Sequence, residues 1–250
     1  MAAILLAVAL GAWIVTAARM DGMDAGPGTG LGTLPWFAGA WLTMMAAMML
    51  PSAAPAVRLF ARTAGNRAAA PFVAGYLAVW TAFGLAAYGA YRLVAAADPA
   101  WLQWDRGGPY LAGGAVAAAG LYQLTPLKAA CLRHCRSPLH FLLARWRAGA
   151  RGSFLMGAEH GAWCAGCCWG LMLTLFAVGV MNVLWMLVVA ALVAAEKVLP
   201  RGDRVSPAIA VGLVALGVWI AVAPGSVPLL TEPAGSVPMD AMPMPMPTTR

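Results

Sequence analysis

What most constrains this chain is a succession of apolar runs, each about as long as a bilayer is thick. A helix needs roughly 20 apolar residues to cross a hydrocarbon core of about 30 Å. Such runs read at 1–18, 36–57, 72–96, 109–127, 153–178, 183–199 and 206–223. Only 10% of the 250 residues are charged, and the mean hydropathy is +0.77. Ordinary soluble domains carry about 25% charged residues. The short alternating apolar–polar segments of a transmembrane β-barrel are missing. The sequence therefore predicts an all-α fold, a polytopic transmembrane helix bundle of about seven helices over 1–223. A Pro/Met-rich disordered tail is expected over 224–250, because alternating proline forbids a helix there. The first run has no basic leader and ends in Thr16-Ala17-Ala18, so it reads as a retained helix; its removal as a signal would leave six. Pro51 and Pro55 should kink or end the second run.

Net charge is +7, and its placement matters more than its size. Counted from a cytoplasmic N-terminus, the inner loops hold twelve of the sixteen Lys and Arg residues. Among them are Arg58, Arg62 and Arg67, the cluster from Lys128 to Arg151, and Lys197, Arg201 and Arg204. Positive loops stay inside, so the N-terminus is expected inside and the C-terminus outside. This distribution points to a lipid bilayer as the partner surface and gives no reason to expect nucleic acid.

The chemistry concentrates in the fifth run. Met156, His160, Cys164, Cys168 and Met172 follow one another at intervals of four, which places them along one face of a helix. Cys167 lies beside that row and Glu159 precedes it. Thiolate, imidazole and thioether are all ligands for soft metals. Gly157/Gly161 and Gly166/Gly170 would let a neighbouring helix, or a second copy of the chain, approach closely. A buried ionisable residue such as Glu159 points to function or to an ion pair with a neighbour. It reads as an outer contact of the metal site, together with Lys128 and Lys197. A packing helix with inert cysteines is the competing account.

Two more groups extend the metal reading. Cys131 and Cys135 are four apart in the polar segment 128–152, where Lys128, Arg133 and Arg136 should favour the thiolate. One site shared with Cys164 and Cys167 or Cys168 requires that segment to fold back onto the bundle. Met44, Met45, Met48 and Met49 form two pairs four apart on the second span. Met20, Met23, Met239, Met242, Met244 and Met246 would face outside and could capture metal there. Thioethers bind Cu(I) without deprotonation. Cu(I) is the expected metal, with Zn(II) the alternative.

Three stretches carry a resemblance. They are Met44-Met45-Ala46-Ala47-Met48-Met49-Leu50-Pro51, then Tyr122 to Lys128 with Cys131 and Cys135-Arg136-Ser137-Pro138, and then Gly157 through Cys168-Trp169 to Met181-Asn182. Together they resemble a bacterial family of predicted metal-binding integral membrane proteins, a domain of unknown function, over about residues 36–204. The resemblance implies a multi-helix protein of the bacterial inner (cytoplasmic) membrane with a metal site, and supplies no activity. The Met-Pro tail lies outside it.

The combined expectation is a Cu(I)-handling membrane protein, a transporter or metallochaperone, exchanging metal with a periplasmic or cytoplasmic carrier. It is not expected to be an enzyme, and no phosphate-binding loop is present to drive pumping. Two alternatives stay open: a membrane thiol–disulfide oxidoreductase using the two cysteine pairs, and a structural subunit, in which the cysteines only pack.

Overall fold

The computed structural model describes residues 2–21, 30–97, 103–104, 106–179, 182–200, 202–228 and 230. Within them the chain is helical: α1 Ala2–Met20, α2 Leu34–Ala64, α3 Asn66–Ala97, α4 Gly108–Tyr122, α5 Pro126–Arg136, α6 Pro138–Arg145, α7 Gly149–Val178, α8 Val183–Val198 and α9 Gly202–Val222. A short 3-10 turn, Pro224–Ser226, follows. Met23, Asp98, Asp105, Met181 and the four tail methionines lie outside the described residues.

Among the described residues five helices, α1, α2, α3, α7 and α9, are long and apolar enough to cross a membrane. This corrects the expected count of seven. The fourth and sixth runs become α4, of 15 residues, and α8, of 16. Each is about 22–24 Å long at 1.5 Å per residue, short of the bilayer core. Their ends have local causes. A residue before proline is pushed out of the helical region, and Thr125, before Pro126, is extended at φ −76° and ψ 147°. Its hydroxyl accepts from the Lys128 amide at 3.3 Å and so caps the next helix instead. Asn182 caps α8 by accepting from Leu184 and Trp185 at 3.0 and 3.1 Å, and Leu199 before Pro200 ends it.

Of the two effects expected of Pro51 and Pro55, a stop does not occur: α2 runs through both to Ala64. The surrounding bundle covers this stretch, with Leu50, Ala53 and Ala54 all buried, and proline is tolerated inside a helix that its neighbours enclose. The polar segment 128–152 is not a loop; most of it is two short helices, α5 and α6.

The organising element is α7, which packs against α3, α4, α5 and α8. From Met156 to Val178 its residues are buried or half-buried, Ala162 alone being exposed. The glycines of α7 set the spacing. A side chain at Gly157 would collide with the Phe72 backbone, and one at Gly75 with the Phe154 backbone, so α3 and α7 meet backbone to backbone. A Cβ at Gly161 would lie 3.0 Å from the Tyr76 carbonyl oxygen. Gly166 faces Cys131 of α5, and Gly170 faces Ala119 and Tyr122 of α4. Both small-residue pairs are therefore used within the chain. Gly113 and Gly217 bring α4 and α9 together in the same manner.

Candidate metal centre

The turn at Thr125-Pro126 directs α5 back along α7, which meets the condition for a shared site. Cys131 packs on Gly166: a Cβ there would stand 2.8 Å from its sulfur. The Tyr122 hydroxyl donates to the Gly166 carbonyl at 2.5 Å and pins the contact. One turn further on, the Cys135 Sγ lies 3.8 Å from the Cys167 Sγ. Cys167 is in turn 3.3 Å from the Cys168 Sγ and donates to the Cys164 carbonyl at 3.2 Å. All five cysteines are free thiols.

Cys164 has a different environment. The Lys197 Nζ donates to its sulfur at 2.8 Å, and the Tyr76 hydroxyl is 2.9 Å away. An ammonium beside a sulfur favours thiolate and places charge-assisted hydrogen bonding inside the bundle. Lys197 comes from the last turn of α8 and Tyr76 from α3, so four helices converge on the thiols. Tyr76 was not singled out by the sequence reading. Its signal was a phenol in mid-span, which must find a polar partner when buried.

The charge expected around Cys131 and Cys135 does not act on them as anticipated. Burial pushes the Cys131 thiol up. The Cys135 thiol is pushed well up, first by its hydrogen bond to Cys164 and further by burial. Lys128 points away from the thiols into an ion pair with Glu196. Arg136 is held by the Glu196 carbonyl at 2.5 Å and the Pro200 carbonyl at 2.9 Å. The cation at the thiols is Lys197.

The other expected residues fall elsewhere. His160 is buried one turn before Cys164 among Phe72, Tyr76 and Phe141, with ring centroids 6.0, 5.9 and 5.6 Å away. Glu159 is paired with Arg145 at 3.3 Å and Arg147 at 3.8 Å, the ion-pair reading of that residue. Met44, Met45, Met48 and Met49 are buried on α2, whose neighbours are α1, α3, α6 and α8. Met156 receives the Arg147 amide at 3.2 Å. Met20 is buried at the end of α1. Among the described residues no three His, Cys, Asp or Glu side chains already form a metal cage.

The thiols nonetheless fit a soft ion. Two sulfurs bound at about 2.3 Å with a tetrahedral angle are about 3.8 Å apart, the separation found between Cys135 and Cys167.

The described residues are helical, with free thiols clustered where α5 meets α7. Residues 38–220 match the family model described as PpoB2, copper chaperone, and the chain belongs to that family. Comparison with curated proteins and with solved structures returns no match.

Proposed function

We propose that the protein is a membrane-embedded copper chaperone that holds Cu(I) on thiolates from α5 and α7 and passes it on by ligand exchange. The observation that carries this is the approach of Cys135 to Cys167 at 3.8 Å, with Cys168 3.3 Å from Cys167 and Cys164 beside Lys197. Family membership supports copper as the cargo. Five apolar helices support the bilayer, and the basic loops support a bacterial inner membrane with the N-terminus inside. Cys131 and His160 flank the thiols, Met44, Met45, Met48 and Met49 offer a thioether path through the same core, with Met20 buried at the end of α1, and Met23 and the tail methionines would collect metal outside.

The direct test is elemental analysis of detergent-purified protein reconstituted anaerobically with Cu(I) or Zn(II). Near-stoichiometric Cu(I) is expected, falling to background in Cys164→Ala/Cys167→Ala/Cys168→Ala. Equal copper in the two proteins would overturn the thiol site.

Charge balance predicts a role for Lys197. Two thiolates and one Cu(I) leave one negative charge, which the ammonium beside Cys164 neutralises inside the bundle. A hydrogen bond to a charged group contributes about 1.5–3 kcal/mol, which corresponds to roughly ten- to a hundredfold in affinity. Lys197→Met should weaken Cu(I) by that factor in competition with a chromophoric Cu(I) chelator, and Lys197→Arg should restore part of it. Unchanged affinity in Lys197→Met would remove Lys197 from the site.

A further inference from the structure

On the side of α5 away from the thiols lies a second cavity, of about 560 Å³, between the α4–α5 turn, α5 and the start of α9. Its charged lining is entirely basic: Lys128, Arg133 and Arg136. Thr125 and Ser206 add hydroxyls, and Gln123 adds an amide.

The three cations are not equivalent. Lys128 is neutralised by Glu196, with the Ser206 hydroxyl 3.1 Å from its Nζ. Arg136 spends two of its N–H groups on the Glu196 and Pro200 carbonyls, which fixes the plane of its guanidinium. Gly202 leaves room for it, since a Cβ there would collide with the same guanidinium. Arg133 is exposed at the cavity. Among the described residues the cavity therefore carries two guanidinium charges with no carboxylate partner, one held in place and one exposed, a donor set suited to phosphate oxygens.

The occupant must then present an anion to the arginines.

The rim is apolar. Leu124 lines the cavity and is 59% exposed. Val211, one helical turn beyond the lining residue Pro207, is 71% exposed. Basic pockets between helices on the cytoplasmic side are where lipid head groups are held, and the basic-loop rule places α5 on that side.

We propose that this cavity binds a phosphoryl group, as in the head group of an anionic phospholipid, with acyl chains leaving over Leu124 and Val211. The proposal rests on the membrane-spanning reading and is independent of copper.

The experiment is native mass spectrometry of the full-length protein in detergent, titrated with phosphatidylglycerol, phosphatidylcholine or glycerol 3-phosphate. Phosphatidylcholine keeps the phosphodiester and carries no net charge. Phosphatidylglycerol is expected to bind best. Arg133→Gln should weaken it about tenfold, the loss of one charge-assisted contact. Glycerol 3-phosphate binding with the same dependence on Arg133, and no lipid binding, would support the phosphoryl site and assign it to a soluble ligand. Binding indifferent to Arg133→Gln, or no binding of any probe, would overturn the site. No copper enters these measurements, so their failure leaves the chaperone reading standing.

Discussion

Lys128→Met is expected to destabilise the protein by about 3–5 kcal/mol, the range for breaking a buried ion pair from one side. Lys128 and Glu196 are each 1% exposed and bonded to one another. The Glu196 Oε1 also accepts from the Ser206 hydroxyl at 2.8 Å, and its Oε2 has no partner. With the ammonium gone, the carboxylate keeps one neutral hydroxyl against a charge held out of water. The double variant Lys128→Met/Glu196→Leu removes both charges and should recover most of the loss, because apolar replacement of a buried pair is often close to neutral. Denaturant unfolding in detergent across the four members of the cycle measures the coupling. A single variant within about 1 kcal/mol of the parent, well below the expected range, would show that water reaches Glu196.

Gly157→Leu should have a comparable or larger effect. The added side chain meets the Phe72 backbone on α3, which has no rotamer to move. Forcing extra carbons into a packed core commonly costs about 1–3 kcal/mol, and backbone-to-backbone contact leaves fewer ways to relax than a side chain would. The expected result is loss of the monodisperse peak in size exclusion and of the thermal transition. Gly212→Leu on α9 is the matched control, because nothing lies within 4 Å of its added Cβ. If the two variants behaved alike, the close α3–α7 approach would not be what holds these helices.

These two cases show what the amino-acid order reveals and what it hides. The long apolar runs give the helical class, and the glycine spacing around Gly157 gives a close helix contact, since both are local patterns. The i, i+4 row of His160, Cys164 and Cys168 is likewise legible along one helix. Placement of Cys135 against Cys167 is not, because it depends on the reversal at Thr125-Pro126 and on how α5 then lies along α7. Lys197 is adjacent to Glu196 in sequence, yet the first reaches Cys164 and the second Lys128, on different sides of α8. Helical rotation of about 100° per residue separates them. Only the packing of α8 decides which of the two faces the thiols. Pro51 and Pro55 mislead in the same way: proline chemistry argues for a stop, and the surrounding bundle permits continuation.

One feature of the thiol cluster bears on how cargo would leave. Cys131, Cys164, Cys167 and Cys168 are at most 5% exposed, whereas Cys135 is half-buried. Ligand exchange between two proteins needs a moment when both hold the same ion. Under the proposed copper route that shared moment falls to Cys135, the sulfur a docking carrier can reach. Its helix is moored at both ends, by Lys128 to Glu196 and by Arg136 to the Glu196 and Pro200 carbonyls. Those moorings then work as a jig for the transfer, fixing where a visiting ligand must arrive. A variant that loosens them would slow the hand-off to a carrier even with every sulfur intact.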